Sequence, residues 1–399
     1  MTALTGFLRK DGRKGIRNVV AVVYLVECAH HVAREITMPL REDGVHLIGF
    51  PGCYPNSYAH RVLEQICTHP NVGAVLLVSL GCESFARQQL AASVVASGRR
   101  AEVLVIQEKG GTLATVKRGR ELAAEMRAEL DQQQRVPMGV DELVIGTICG
   151  GSDATSGVTA NPAVGQVFDQ LVEQGAACMF EETGELIGCE HHLARRSVTP
   201  ELGTEIVSAV DKARIYYDVL GHGSFASGNS EGELTTQEEK SMGAYAKSGF
   251  GPIHGLIKPG DVPPRGGLYL LDVIPDGEVR FGFPNITDVG EIGEMIACGC
   301  HLIIFTTGRG SVVGSAVSPV IKVCGNPQTY ARMGDDMDVN AGAILSGKVS
   351  LEEVSSELHD LVLATSAGTL TKSEQLGHQE FLLTYKQFEP IGPACMPSA

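Results

Sequence analysis

The stretch TICGGSDATSGVTANPAVG, which runs from Thr147 to Gly165, lies at the start of a predicted α/β unit. It follows the apolar run ELVIG (142–146) and joins a buried strand to a glycine-rich loop. Asn161-Pro162 then opens a helix, because proline is favoured in the first helical turn. A cysteine and several hydroxyl groups occupy the loop, which suits a bound ligand. A cysteine at the end of a buried strand can equally be a core residue.

The first third of the chain repeats this alternation of strand and helix. Apolar strands separated by helices of roughly 10–20 residues indicate a parallel sheet that is covered by helices on both faces. We therefore predict an α/β protein with two doubly wound, mostly parallel sheet domains that face a cleft. The strands predicted in the first third are Val19–Val26, Val45–Phe50, Ala74–Leu80 and Glu102–Gln107.

A length of 399 residues exceeds what one ordinary core supports, so we expect more than one domain. The polar segment QQQRVP (132–137) predicts a linker between a first α/β domain, residues 1–135, and a second one, residues 140–399. Within the second domain, residues 222–266 are rich in glycine, serine and proline and predict a long irregular segment. Helices are predicted from Leu351 towards the C-terminus.

The composition argues against several classes of protein. A net charge of −15 disfavours nucleic-acid binding, which needs a basic surface, and the absence of tryptophan removes the best stacking side chain. The sequence has no run of about 18 apolar residues, and its first residues lack the apolar stretch of a signal peptide. We therefore expect a cytoplasmic protein that binds neither nucleic acid nor a membrane.

Three of the 11 cysteines follow predicted strands at equivalent places. Cys53, Cys82 and Cys149 each neighbour a glycine in a loop at the carboxyl end of a strand, where open α/β sheets bind ligands. Three thiolates suit a soft metal and leave one coordination position open. A ferrous ion assisted by histidine or glutamate fits this set, as does a four-iron cluster with an open site. The alternative is that each cysteine is a small core residue.

Two loops that contain arginine predict an anion site. FTTGRG (305–310) follows a strand and offers Thr306, Thr307 and Arg309, whose guanidinium can bind two oxygens of a carboxylate, sulfonate or phosphate. The N-terminal segment KDGRKGIRN (10–18) is either a similar site or a charged turn. The further candidate substrate-binding residues are Arg13, Arg17 and Asn18 from this segment and Ser152 and Asp153 from the opening loop.

The acidic segment EETGELIGCEHH (181–192) lies beyond a predicted strand. It can supply a metal ligand or a general base, and the alternative is a solvated acidic loop. Neither GxxxxGK[ST] nor GxGxxG occurs between a strand and a helix, so ATP and NAD are not predicted ligands.

Several motifs together resemble the altronate/galactarate dehydratase family over nearly the whole chain. The resemblance implies the fold of that family, iron-dependent lyase chemistry, and metal binding by the loops of Cys53, Cys82 and Cys149. The matching motifs are GFLRKDGRKGIRN (6–18), SLGCE (79–83), CGGSDATSGVTANPAVG (149–165), TTQEEKSMG (235–243), FTTGRGSVVG (305–314) and DVNAG (338–342).

The resemblance also implies a reaction and a partner. The substrate is expected to be a small anionic 2-hydroxy acid that loses its C3 substituent, with sulfolactate favoured (a carbon–sulfur lyase) and a sugar acid second (a hydro-lyase). A separate small β-clip subunit is expected, in a hetero- and homo-oligomer. The alternative from another class is a non-catalytic anion-binding subunit. The residues nominated as general base are Glu83, Glu182, Lys240 and His191.

Overall fold

The computed structural model describes residues 4–219, 236–276, 287–383 and 386, and it confirms the predicted α/β fold. The first sheet contains β3 (Val19–Tyr24), β4 (Val45–Gly49), β5 (Val72–Ser79) and β6 (Arg100–Val105). All of its pairings are parallel, and the spatial order is β4-β3-β5-β6.

Helices cover both faces of this sheet. Helices α1 (Glu27–Thr37) and α5 (Thr112–Asp131) pack on one face, and α2 (Ser57–Cys67) and α3 (Arg87–Ala96) pack on the other. The short helix α4 (Ile106–Lys109) follows β6. Since successive side chains of a strand point to opposite faces, both sets must be apolar, which explains the continuous apolar runs in the sequence.

The second sheet has seven parallel strands in the order β10-β11-β9-β8-β12-β13-β14. Its central strand β8 is the strand that opens the quoted stretch. The strands are β8 (Val144–Cys149), β9 (Ala177–Phe180), β10 (Ile253–Ile257), β11 (Gly267–Leu271), β12 (Leu302–Thr307), β13 (Val320–Cys324) and β14 (Val339–Asn340).

Helices also lie on both faces of the second sheet, and the predicted helical C-terminus is confirmed. α7 and α13 pack into the core on one face, and α11 packs on the other. The helices are α6 (Ala154–Val158), α7 (Ala160–Glu173), α8 (Glu190–Ala194), α9 (Pro200–Val219), α10 (Gln237–Lys247), α11 (Asp288–Ala297), α12 (Pro327–Met333), α13 (Leu351–Ala367) and α14 (Lys372–Gln375).

A shared apolar core joins the two sheets. Side chains from α2 and from α11 belong to one buried cluster between them. The Tyr58 hydroxyl of α2 donates a hydrogen bond to Glu294 of α11. The side-chain amide of Asn71 donates to the carbonyls of His301, at 3.0 Å, and Val317, at 3.2 Å. These contacts fix the position of the first sheet relative to the second.

Two sequence expectations need revision here. The predicted linker contains a strand, β7 (Arg135–Pro137), which pairs with β1 (Thr5–Leu8), and β1 also pairs with β2 (Lys14–Gly15) in a small antiparallel sheet. The predicted irregular segment contains helix α10 and the edge strand β10, while residues 220–235 lie outside the described part of the chain. The domain boundary itself stays a prediction. No helix among the described residues is long and apolar enough to cross a membrane.

Candidate active site

The strand order of the second sheet locates a site at the end of β8. The chain leaves β8 for β9 on one side and later returns to β12 on the other side, so the strand order reverses at β8. In open α/β sheets such a reversal leaves a crevice beyond the carboxyl ends of the strands. Cys149 is the last residue of β8 and lies at this place.

Cys149, Glu182 and Glu185 form a buried cluster there. One ligand atom from each side chain lies within 4.8 Å of those of the other two. The Cys149 thiol donates to Glu182 Oε1 at 3.2 Å and to Glu185 Oε2 at 3.4 Å. The parallel pairing of β8 with β9 brings the loop after β9 next to Cys149.

The backbone holds Glu182 in an unusual conformation. Its φ is 76°, in the left-handed region that non-glycine residues rarely occupy. Its carboxylate accepts a hydrogen bond from the Cys149 backbone N–H at 3.2 Å. Strained residues of this kind concentrate at functional sites, because only surrounding contacts can keep them in place.

Helix α10 supplies two buried ammonium groups to the cluster. Lys240 Nζ lies 2.7 Å from Glu185 Oε1, 2.6 Å from Ser152 Oγ and 3.3 Å from Cys149 Sγ. Lys247 forms an ion pair with Glu182 and is fully buried. Since two helical turns separate the lysines, both point from one face of α10. The helix lies so close to α7 that a Cβ on Gly165 would overlap the carbonyl of Ala246.

The ionisable groups of the site perturb one another. Burial, followed by the charge of Glu182, raises the pKa of Glu185 to about 7. Burial and the same two glutamates raise the pKa of the Cys149 thiol. Burial lowers the pKa of Lys240, but Cys149 and Glu185 outweigh burial and raise it well above its ordinary value. Lys240 therefore stays charged, whereas Glu185 and the Cys149 thiol lose their protons less readily than usual.

Further carboxyl groups make the surroundings acidic. Burial and then Glu291 raise the pKa of Glu181 well above its ordinary value, and burial followed by Glu182 raises the pKa of Asp288 to about 6. Carboxyl groups thus outnumber the two lysines of α10. A bound divalent cation would relieve this repulsion, so the residues present fit a metal ion held by one sulfur and two carboxylate oxygens.

The loops after β8 and β12 are joined by main-chain hydrogen bonds. The carbonyl of Gly151 accepts from the N–H groups of Gly308, at 3.2 Å, and Arg309, at 2.9 Å. The Arg309 side chain is exposed beside this junction. The structure therefore brings together the predicted loops of Cys149 and Arg309.

The remaining polar residues of these loops have different surroundings. Asp153 caps α6 and also accepts a hydrogen bond from the Asn326 amide at 3.0 Å. The Thr307 hydroxyl accepts from the Gly310 N–H at 2.9 Å. The buried Thr306 hydroxyl has no hydrogen-bond partner within the described ranges. Asp153 and Thr307 thus shape the loops, and Ser152 is the hydroxyl that contacts the buried cluster.

The other two predicted metal ligands lie elsewhere. Cys53 and Cys82 are exposed on neighbouring loops of the first sheet, where the Ser84 N–H donates to the Cys53 carbonyl at 2.9 Å. Within the described residues, the group whose ligand atoms lie within 4.8 Å of one another includes Cys149 but neither of these cysteines. The set of three cysteines as metal ligands stays a prediction.

Two nominated bases lie in different surroundings. Glu83 accepts hydrogen bonds from the Ser79 hydroxyl and from the Gly81 N–H, the latter at 2.8 Å. Burial raises the pKa of Glu83, but these hydrogen bonds outweigh burial and hold it below its ordinary value. His191 is exposed on α8. Their roles as bases stay predictions, and Glu83 has a structural role in its own loop.

The side chains of the predicted N-terminal anion site bind other groups of the same chain. Arg13 forms an ion pair with Asp11 at 2.8 Å. Arg17 forms one with Glu374 at 2.6 Å, and the Asn18 amide donates to the carbonyl of Leu130 at 3.1 Å. These side chains tie the N-terminal segment to the rest of the protein, so their part in substrate binding stays a prediction.

Sequence reasoning did not single out Glu185, Lys247 or Asn326. A usable signal existed for Lys247, because it follows Lys240 by two helical turns on the same face. Glu185 lies in the acidic segment that was singled out as a whole. No local pattern marks Asn326, which reaches Asp153 across 173 positions of the sequence.

The strand order of a parallel sheet reverses here, and a buried thiol, paired carboxylates and a charged lysine meet at that place, which are features of an α/β enzyme site. Comparison with known proteins defines the class. A sequence model described as D-galactarate/altronate dehydratase, C-terminal, matches residues 140–388, and one for the second domain of D-galactarate dehydratase/altronate hydrolase matches residues 6–131. The chain belongs to the galactarate/altronate dehydratase family, and it is an enzyme of the lyase class.

Individual relatives span nearly all of this chain. The (2R)-sulfolactate sulfo-lyase subunit beta of Chromohalobacter salexigens is 31% identical over 95% of this chain and 96% of its own length. The altronate dehydratase of Bacillus subtilis is 30% identical over 95% of this chain and 76% of its own. The galactarate dehydratase (L-threo-forming) of Escherichia coli is 31% identical over 93% and 74%. The predicted resemblance is confirmed.

Proposed function

We propose that this chain is the catalytic subunit of a metal-dependent lyase that converts (2R)-sulfolactate into pyruvate and sulfite. The observation that carries the lyase chemistry is the buried set of Cys149, Glu182 and Glu185 with Lys240 at hydrogen-bond distance. The choice of substrate follows the relative named (2R)-sulfolactate sulfo-lyase subunit beta, which matches 95% of this chain.

We infer that iron is the metal and that Cys149, Glu182 and Glu185 hold it. A divalent ion bound there would supply Lewis acidity, worth several kcal/mol towards stabilising negative charge that develops on the substrate. One soft and two hard ligands suit a borderline metal such as ferrous iron. Cys53 and Cys82 as further ligands, in a four-iron cluster, are the alternative to this set.

We assign roles to the side chains around the cluster. Lys240 keeps its positive charge and fixes Glu185 and Ser152, so the acidic side chains face one place. We assign to Arg309, with Thr306 beside it in sequence, the binding of the sulfonate or second carboxylate of a substrate. Proton removal from C2 and departure of sulfite from C3 then give the enol of pyruvate. Glu182, which was nominated as a base from the sequence, is assigned here to the metal instead.

A sugar-acid dehydratase is the second candidate. Two of the relatives carry names of sugar-acid dehydratases at 30–31% identity, so identity alone does not favour either substrate. Hydroxide is a poorer leaving group than sulfite and needs a proton as it departs. Burial and Glu291 raise the pKa of Glu181 well above its ordinary value, which favours this reading because such a carboxyl can act as an acid.

We further propose a partner and a location. The sulfo-lyase relative is named as subunit beta, which supports a second subunit for this chain as well. A small β-clip protein in a hetero- and homo-oligomer, working in the cytoplasm, is the arrangement that fits the sequence expectation.

The test compares substrates under anaerobic conditions. The chain is purified with ferrous iron, alone and together with a candidate small β-clip protein, and assayed for sulfite and pyruvate from (2R)-sulfolactate. Release of 2-keto acid from altronate and from galactarate is measured in parallel. Sulfite release alone supports the proposal, and activity on sugar acids alone replaces it by the second candidate. The variant Lys117→Met, at an exposed position, serves as the control for protein quality.

A further inference from the structure

The proposed elimination needs a general base. That base must be a carboxylate or an amine that is not already bound to another charged group. Glu182 is occupied by Lys247 and by the Cys149 thiol, and Lys240 is held protonated by its neighbours. Glu185 is occupied by Lys240 and the same thiol. The carboxylate oxygens of the cluster are therefore committed to ammonium groups, to the thiol or to a metal ion.

Asp288 differs from these groups in its hydrogen bonding. It is the first residue of α11, whose N-cap Thr287 accepts a hydrogen bond from the Gly290 N–H at 3.1 Å. No other side chain in the described portion of the chain donates a hydrogen bond to the Asp288 carboxyl, and this carboxyl is only partly buried. Its own backbone N–H donates to it, and within the described residues no ammonium or thiol holds it as the acids of the cluster are held, so it is available to take a proton.

The position of Asp288 places it at the loop that leaves the cluster. A Cβ on Gly150 would lie 2.5 Å from Phe305 Cζ and 3.1 Å from Asp288 Cγ, and closer still to Asp288 Oδ2. The carboxyl therefore packs directly on the backbone of the residue after Cys149. Glycine at position 150 is required for this approach, because any side chain there would displace the acid.

We propose that Asp288 is the general base of the elimination, a role that rests on the proposed function. Asp288 removes the proton from C2, and the electron pair of that bond forms the C2–C3 double bond. The bond from C3 to sulfur breaks, and its electron pair leaves with sulfite. The enol then gains a proton at C3 and loses the one on oxygen, which gives pyruvate.

The charge of Asp288 suits this task. Burial and the charge of Glu182 raise its pKa to about 6. The carboxyl is then ionised at neutral pH and is a stronger base than an ordinary aspartate, since proton transfer is most efficient when the pKa lies near the working pH. The groups that face it are Glu182, Lys240, Lys247 and Glu291.

The first measurement compares Asp288→Asn, Asp288→Glu and, as a control on the same helix, Glu294→Gln, which removes a carboxylate that contacts Tyr58 and Lys386 instead of the site. We expect Asp288→Asn to lower kcat by about 100-fold or more with KM within about threefold, as for loss of a general base. Asp288→Glu should recover part of kcat, Glu294→Gln should retain it, and bound iron should match the parent chain in all three. An Asp288→Asn variant with kcat within about fivefold of the parent overturns the proposal.

The second measurement does not depend on turnover. Oxalate resembles the planar dianion formed after proton removal, and its affinity for the iron-loaded chain is measured by calorimetry. Removing the negative charge of Asp288 should tighten oxalate binding by about fivefold or more, because like charges close together repel strongly in a site of low dielectric. If the parent chain turns over none of the three acids, the proposed function fails, and unchanged oxalate affinity in Asp288→Asn then removes Asp288 from the site as well.

Discussion

Replacing Lys247 with methionine removes a positive charge from a place that water does not reach. Lys247 is fully buried, and its partner Glu182 is 5% exposed. Methionine retains most of the apolar stem, so the main consequence is a buried glutamate that has lost its ammonium partner. Breaking a buried ion pair in this way costs about 3–5 kcal/mol, because the remaining charge is desolvated without compensation.

The free energy of unfolding is measured for the metal-free chain by urea titration with far-UV circular dichroism. Lys117→Met, at an exposed position of α5, is the matched control and should change stability by less than about 0.5 kcal/mol. The double variant Glu182→Gln/Lys247→Met should recover at least half of the loss, since it removes the uncompensated charge. Ferrous iron should also narrow the gap between Lys247→Met and the parent, because a cation replaces the missing charge. A loss below about 1 kcal/mol, or a double variant no more stable than Lys247→Met, contradicts the buried-pair reasoning.

Three more outcomes follow from the geometry of the site. Cys149→Ala should abolish bound iron, measured by elemental analysis, whereas Cys82→Ala should leave it unchanged; loss of iron in Cys82→Ala would instead support the three-cysteine set. Gly150→Ala should lower kcat and reduce stability by about 1–3 kcal/mol, because a Cβ there overlaps Asp288 and Phe305. Burial and Glu182 raise the pKa of Asp288 from 3.8 to about 6, so the parent chain pays for ionising this group as pH rises through that window. Relative to the parent, Asp288→Asn should therefore gain about 1–2 kcal/mol of stability between pH 4 and pH 7, discounted for partial exposure, and a constant difference across that range would show that Asp288 titrates normally.

Local apolar runs in the sequence predict most of the strands. The candidate site loops are predicted at the carboxyl ends of those strands. The largely apolar run before Cys149 is a strand, as expected, and the structure shows that it is the central strand of its sheet. The edge strand β10 was missed because IHGLI (253–257) contains a histidine and a glycine inside a segment rich in turn residues. An edge strand is buried less completely, so its sequence carries a weaker apolar signal.

The site shows where local patterns stop being informative. Cys149, Glu182 and Lys240 were all singled out by type and position, yet the sequence carried no sign that these three would meet. Arg17 looked like an anion-binding residue and instead pairs with Glu374, 357 positions away. A guanidinium in a glycine-containing turn has the same local appearance whether its partner is a substrate or a distant carboxylate.

The sequence by itself determined the α/β class, the strand–loop–helix unit around Cys149 and the membership of the lyase family, because these depend on periodicity and on motifs of neighbouring residues. Only the tertiary structure decided which acids surround Cys149. That outcome depends on the order of strands in the sheet and on the docking of α10, which are set by packing between residues far apart in the chain. The pKa values of Glu185 and Asp288 are decided at the same level, since burial and neighbouring charge exist only after the chain has folded.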